Sequence, residues 1–474
     1  MPMATILLSL VVGIIFSDAL VLSPWVWLAV GVCALTLNLL RGYRSAVYVA
    51  LFALGGGAHS LQAPDALPLG RPVELMLHIE SDSRRQTTYH STEASVVACE
   101  GHSCSARLRI FSDSTLRFNV GEVVCAKTVI KPFKGERERY ADQMQRRGYV
   151  GYTHLNLNNL TPTTEPATTT LHTLATQSLR RLLPDDEARS VVLSMATGYR
   201  GETTPRLAQL YGRSGAAHLL AVSGLHVGIV YMLCNLLLLP LILLWRGNIY
   251  HSVAVVVVIW LYVALCDWSP SALRAAIMFS ALQLSRHQLG SNASGNSICA
   301  AAAVMLALAP RLLFDIGFQL SFTAVASIVF WGRAILRPTR TPYRILNSLI
   351  DLVAIGVLVT LSTAPLTAHH FGFVAWVGIA LNPILIPLAN IIVFGAVVAL
   401  LTPSPVAEIF ASLAHTMAEV QNDIIEATMR LDVAAIEWSP SALTVGAIYV
   451  VAIVFTIVCF GFRWKRRYFL KDIS

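Results

Sequence analysis

The stretch AHLLAVSGLHVGIVYMLCNLLLLPLILLW, residues 217–245, leaves few architectures open to this chain. It is long and apolar enough to cross a bilayer, for which roughly 20 apolar residues suffice. It reads as one membrane helix from Ala217 to Trp245. Its first half nevertheless carries His218, Ser223, Gly224, His226 and Gly228. On a helix Ser223 and His226 share a face, and Gly224 with Gly228 forms a small-xxx-small stripe nearby. Polar groups at that depth must find partners inside the protein or line water. The helix is therefore expected to pack among others, with its polar stripe turned to a pathway or site.

The same character recurs along the chain. Apolar runs lie at 5–16, 24–40, 45–61, 251–267, 270–285, 293–309, 312–332, 346–366 and 441–462. With 55% hydrophobic and 13% charged residues, the composition is that of a polytopic α-helical membrane protein, here of about 9–11 spans. The net charge of +8 does not by itself indicate nucleic acid, because membrane proteins collect Lys and Arg in cytoplasmic loops. Neither a P-loop nor a GxGxxG motif is found, and no fixed-period repeat. No cofactor is expected, and the chain carries no recognisable motor.

Arg41 and Arg44, between the second and third runs, place that loop and the N-terminus in the cytoplasm. The first run lacks a basic n-region and a convincing cleavage site, so it reads as retained. Residues 1–62 thus form N-terminal spans. Residues 63–165 form an outside module with period-two patterning: Val73, Leu75, Leu77 and Ile79 alternate with Glu74, Met76 and His78. Similar runs occur near 87–98, 106–111, 120–131 and 149–157, with a helical stretch from Glu136 to Arg147. Short strands with one late helix suit an inserted extracytoplasmic OB-like β-barrel.

Cys99, Cys104 and Cys125 fall in this module. An oxidising compartment favours a Cys99–Cys104 disulfide, with Cys125 as the alternative partner; zinc held with His102, or buried thiols, are the other readings. Cys33, Cys234, Cys266, Cys299 and Cys459 lie in apolar spans and read as packing residues.

Residues 166–216 join the two parts. TPTTEPATTT (161–170) is a linker, 171–183 an amphipathic helix along the membrane surface, and Asp185, Asp186 and Glu187 open another helix at its positive end. Residues 217–462 form the main helical domain and 463–474 a basic tail. Alternate crossings put Arg333, Arg337, Arg340, Arg344 and the tail RWKRRYFLK in the cytoplasm. The run 373–402 carries Asn382, Pro383 and Pro387, where a helix should kink or break. Either it dips in and returns while 405–431 lies flat outside, the favoured reading, or both cross. In that segment Val406, Phe410, Leu413, Met417, Val420, Ile424 and Leu431 form one apolar stripe.

Several dissimilar motifs then occur in one order. HLLAVSGLHVG (218–228), DWSPSALRAAIMF (267–279), LFDIGFQLSFTAV (313–325), TAPLTAHHFG (363–372) and LNPILIP (381–387) resemble the signature segments of the ComEC family. These are inner-membrane channel proteins of bacterial competence. The upstream stretches 136–157 and 185–201 also agree with the family's N-terminal region. The resemblance implies transport of single-stranded DNA across the cytoplasmic membrane during natural transformation. The OB-like module would receive DNA and the helices would form the conduit. It further implies a DNA receptor outside, and an ATPase or strand-binding proteins in the cytosol. Many members add a metallo-β-lactamase-like domain; no H-x-H-x-D-H motif occurs here, so a short form served by a separate nuclease is expected.

Candidate path residues are Ser223, Gly224, His226, Gly228, Ser271, Arg274, Asp315, Gln319, Ser321 and Asn382. Arg274 lies at the start of a span, where a cation must face water or a partner. It either grips a phosphate through its guanidinium fork or pairs with Asp315. Gln319 and Ser321 either hydrogen-bond between helices or line the path. Ser223 with His226 also allows an intramembrane serine hydrolase, although no oxyanion donor is visible. Transport of another polyanion or a lipid is a third reading. His369 and His370, about 100° apart on a helix, do not suit one metal. In the outer module Arg107, Arg109, Arg117, Lys127, Lys131 and Lys134 are candidates for the DNA backbone. Tyr89, Phe111, Phe133, Tyr149 and Tyr152 either stack bases or form core.

Overall fold

The computed structural model describes residues 2–20, 22–41, 43–86, 88–113, 115–133, 138–161, 170–285, 293–336, 342–430 and 435–469. Lys134, Glu136, most of the 161–170 linker, Arg337, Arg340, Leu431 and the end of the basic tail lie outside these residues. The chain opens with α1 (Pro2–Leu20), α2 (Pro24–Arg41) and α3 (Arg44–Leu61). Glycines decide how they meet. A Cβ on Gly13 would lie 2.0 Å from the Phe52 carbonyl oxygen, and one on Gly55 2.4 Å from that of Leu10. α1 and α3 therefore touch backbone to backbone, the approach small residues permit in membranes.

The β-module follows as β1 (Pro72–Ile79), β2 (Arg84–Arg85), β3 (Tyr89–Cys99), β4 (His102–Asp113), β5 (Val123–Val129), α4 (Glu138–Arg146), β6 (Tyr149–Leu155) and β7 (Leu160–Thr161). The alternation in β1 is realised: Val73, Leu75, Leu77 and Ile79 are buried, with Leu108, Ile110 and Leu155 beside them. β3 turns into β4 through Glu100 and Gly101, both at positive φ, which suits a tight hairpin. The order is β6-β4-β3-β1-β5-β7 with β2 on β3, and β6 runs parallel to β4. A parallel neighbour needs a crossover, which α4 supplies. The barrel expected from the sequence does not close among the described residues. Between the segment after β5 and β6 the described backbone pairing is a single bridge, Lys131 with Tyr152, which exchange hydrogen bonds of 2.8 Å. Cys99 and Cys104 are free thiols, not the expected disulfide. Nor do the cysteines gather with His102: the His102 side chain is exposed and turns to the Glu100 carbonyl at 3.2 Å.

The helical part comprises α5 (Leu171–Leu182), α6 (Glu187–Ala196), α7 (Pro205–Arg213), α8 (Gly224–Leu237), α9 (Gly247–Leu265), α10 (Pro270–Ser285), α11 (Ala293–Leu308), α12 (Ile316–Ser327), α13 (Arg333–Leu336), α14 (Arg344–Phe371), α15 (Gly378–Leu401), α16 (Val406–Met429) and α17 (Ala442–Phe469). A small ladder, β8 (Phe373–Val374) with β9 (Ile436–Glu437), links the chain before α15 to that after α16. Among the described residues five helices are long and apolar enough to cross a membrane: Met3–Leu20, Pro24–Arg41, Gly247–Leu265, Leu346–Phe371 and Gly378–Leu401. Five shorter apolar helices accompany them, including Gly224–Leu237 and Ile316–Gly332.

Three expectations are corrected. α15 is one continuous helix through Pro383 and Pro387, not a dip and return; membrane helices tolerate proline where neighbours compensate the freed backbone groups. α16 buries Ala407, Ala411, Ala414, His415, Ala418, Gln421 and Ile425, not the stripe of large residues. Its Leu413 and Val420 are exposed, and Ile409 is 65% exposed. The alanines win because α15 comes close: a Cβ on Gly395 would lie 2.9 Å from the Phe410 carbonyl oxygen. Finally, α5 does not rest on a surface alone. Its Ala175, Thr176 and Leu179 are buried, and His172 reaches Asp82 of the β-module at 3.4 Å and the Leu265 carbonyl at 3.2 Å.

Candidate functional site

The stretch 217–245 is not one helix. Residues 217–222 form turns, α8 begins at Gly224, and a short 3₁₀ segment, Leu239–Leu243, follows it. Ser223 is the N-cap of α8: its hydroxyl accepts the His226 N–H at 3.4 Å, and its own N–H donates to His226 Nδ1 at 3.2 Å. This reciprocal capping box satisfies two orphan donors. It also uses up the pair that suggested a hydrolase, since the imidazole is committed to backbone and not to the Ser223 hydroxyl. His226 Nε2 is buried with no hydrogen-bond partner among the described residues.

α8 lies against α10 through its glycines. A Cβ on Gly224 would lie 3.7 Å from Ala275, and one on Gly228 3.1 Å from the Phe279 ring. Tyr231 stacks on Phe279 with centroids 4.8 Å apart, and its hydroxyl donates to Gln283 at 3.0 Å. Ser271, at the start of α10, donates to the Val222 carbonyl and ties the 217–222 turns to that helix.

One turn further along α10, Arg274 is only 5% exposed. Its Nη1 lies 3.8 Å from Asp315 Oδ1, so the pairing reading is realised. Asp315 has two further duties. It caps α12, accepting the Phe318 N–H at 2.9 Å, and it receives Arg147 Nε from the β-module at 3.3 Å. Gly317 makes the space: a Cβ there would lie 3.0 Å from both Arg274 Nη2 and Asp315 Oδ1. Gln319 donates to the Leu313 carbonyl at 2.9 Å, and Ser321 is half-buried on α12. Asn382 stands apart on α15 beside Gly378, its buried Oδ1 unpartnered among the described residues. Sequence reasoning missed Arg147 and Gly317; the G of D-x-GFQLSF was the only available signal for either.

In the β-module the described basic candidates differ in their surroundings. Arg107 is bound to Glu80 and lies over the Tyr149 ring, 4.9 Å from its centroid. Arg109 donates to Ser91 at 3.0 Å and to the Tyr140 hydroxyl at 2.6 Å. Arg117, Lys127 and Lys131 are exposed on separate segments. Phe133 and Tyr149 are core. The remaining aromatics make a face: Phe111 packs against Tyr89, Tyr152 and His154 at centroid distances of 5.3, 5.6 and 5.4 Å. Tyr89 is 41% exposed and His154 also exposed. Burial, then the Lys131 charge, holds the His154 imidazole below its ordinary pKa, so it is a neutral ring in this face. Burial pushes the Glu93 carboxyl up, but the Tyr149 hydroxyl and the charges of Arg147, Arg84 and Arg107 outweigh it and hold it low. An ionised Glu93 thus accepts from Tyr149 at 2.6 Å.

The family model described as competence protein matches residues 195–463, more than half the chain and all of α8 to α12. The chain belongs to this family. ComE operon protein 3 of Bacillus subtilis (strain 168) is 29% identical over 218 residues, 46% of this chain and 27% of its own length. Uncharacterized protein YcaI of Escherichia coli (strain K12) is 25% identical over 224 residues, 45% of this chain and 29% of its own. An uncharacterized protein of Aquifex aeolicus (strain VF5) is 27% identical over 228 residues, 48% of this chain and 51% of its own. The matched region thus spans between a quarter and about half of these relatives. No solved structure matches. The motif segments at 218–228, 267–279 and 313–325 fall inside the family region and coincide with the α8, α10 and α12 contacts described above.

Proposed function

We propose that this protein conducts single-stranded DNA across the bacterial cytoplasmic membrane during natural transformation. Membership of the competence family carries the reading, because the matched region contains the polar contacts of α8, α10 and α12. Both termini lie in the cytoplasm and the β-module outside. Arg41, Arg44 and Arg333, each at a helix end, then stand on the cytoplasmic side, as insertion favours. The aromatic face of Tyr89, Phe111, Tyr152 and His154 receives bases by stacking, which tolerates any sequence. The strand then passes Arg274, Asp315, Gln319 and Ser321 and the polar start of α8, with Asn382 further in. A receptor outside delivers DNA, and an ATPase or strand-binding proteins draw it in.

The decisive experiment follows labelled DNA in a strain lacking this protein, separating the outer compartments from the cytosol. Label should accumulate outside and fail to enter; normal entry ends the proposal. Cysteine-labelling from either side of the membrane tests the orientation. Labelling of a β-module position only from the cytoplasmic side reverses it.

A further inference from the structure

The place where the β-module meets α1, α3, α10 and α12 brings together charges from elements far apart in sequence. Arg146 ends α4 and Arg147 follows it, Arg274 lies in α10, and Arg311 precedes α12. Three carboxylates meet these four guanidiniums, the first being Asp142, 3.6 Å from Arg146. Asp18 faces Arg146 at 3.8 Å and His59 at 3.9 Å. Asp315 is shared between Arg147 at 3.3 Å and Arg274 at 3.8 Å. Among the described residues Arg311 hydrogen-bonds to backbone acceptors only, the carbonyls of Gln62 at 3.0 Å and Arg146 at 3.2 Å. The joint therefore carries more cationic than anionic groups.

Asp315 serves its two arginines poorly. A charge-assisted N–H···O bond is about 2.7–2.9 Å, and both contacts are longer. The Nε of Arg274 is buried with no partner among the described residues. Natural interiors rarely leave a buried donor unsatisfied, and an exception calls for an explanation. A phosphodiester carries the same single charge as Asp315 and two non-bridging oxygens that suit a guanidinium fork, whereas Asp315 Oδ1 is also engaged in capping α12. Arg147 also stands just before Gly148 and Tyr149, where β6 begins, and β6 carries Tyr152 and His154 of the aromatic face.

We infer that this joint is a phosphodiester-binding gate in which Asp315 holds the anion's place until a DNA phosphate displaces it from Arg147 and Arg274. The inference rests on the conduit reading and adds to it an entry point, a pair of gripping residues and an internal competitor. Gly317 keeps room for the exchange. Asp315 is part-exposed, so its carboxylate has water to turn toward.

The test uses the full chain in lipid nanodiscs and a fluorescent oligothymidylate, with binding followed by anisotropy across a salt series. Arg147→Gln with Arg274→Gln should weaken binding at least about 10-fold. It should also flatten the salt dependence, each lost phosphate contact removing about 0.7 from the logarithmic slope. Asp315→Asn keeps a good N-cap for α12 but removes the competitor, so it should tighten binding several-fold. A damaged fold cannot produce that gain. Unchanged or weaker binding by Asp315→Asn overturns the gate, as does an unchanged slope in the arginine pair. A wild-type chain that binds no oligothymidylate overturns the conduit reading with it. Nanodiscs with and without phosphatidylglycerol separate DNA from lipid. If the variants alter only retention of that lipid, the joint is a headgroup site and the gate is overturned.

Discussion

The α15–α16 pair and the α8–α10–α12 group are both assembled through small residues, but they put them to different uses. Between α15 and α16, Gly395 meets Phe410 backbone and Ala414, and Ala407, Ala411 and Ala418 continue the contact. Large apolar neighbours such as Ile392 and Val393 are fully buried around it. In the other group Gly224 and Gly228 bring α8 to α10, but the adjoining positions are Ser223, His226, Tyr231, Gln283 and Arg274. Small residues permit close approach in either case. The polarity beside them separates an apolar seam from one held by hydrogen bonds and an ion pair.

Four substitutions or titrations probe that difference, in order of expected effect. Gly395→Leu should cost about 3 kcal/mol, the upper range for overpacking, seen as a lower unfolding midpoint in detergent; no change would mean the helices can part. Gly228→Leu meets the edge of the Phe279 ring at 3.1 Å, a side chain able to shift. It should cost about 1–2 kcal/mol while reducing transformation more than its stability loss explains. Equal losses in both would make the two helix groups alike. Ser223→Ala removes an N-cap, worth about 1 kcal/mol, and should leave transport largely intact, since its hydroxyl caps α8. Complete loss in a folded protein would revive a chemical role for Ser223.

The smallest effect concerns the contact of α5 with the β-module. Burial lowers the His172 pKa, but its hydrogen bond to Asp82 and the nearby carboxylate charges raise it overall. Burial pushes Asp267 up to about 6. Both groups bind protons more tightly folded than unfolded, so stability falls as pH rises. The loss begins between the ordinary aspartate range and about 6 for Asp267. It continues above about 6.5 as His172 deprotonates. Hydrogen exchange around Asp82 and α5 should speed up over that window, and His172→Gln should remove its upper part. Exchange that slows with pH, after correction for the intrinsic rate, would reverse the sign.

Much of the protein can be read without coordinates. The alternation Val73, Leu75, Leu77, Ile79 gives a half-buried strand because the module faces water, and in water the buried face must be the apolar one. Asp186 at the start of α6 is legible for the same local reason: it caps its own helix, accepting the Arg189 N–H at 2.9 Å. The capping box of Ser223 and His226 has an equally local pattern, but the apolar run around it suggested mid-helix instead.

What the sequence determined by itself is the polytopic helical character, the family motifs and the main strands of the β-module. The tertiary structure alone decided which face of α16 is buried, that α15 runs through two prolines, that β6 lies parallel to β4, and that Arg147 meets Asp315 across 168 positions of chain. The physical reason is the solvent. Water marks buried side chains by their hydrophobicity, whereas lipid is as apolar as a protein core, so there only close packing and polar pairing distinguish inside from outside.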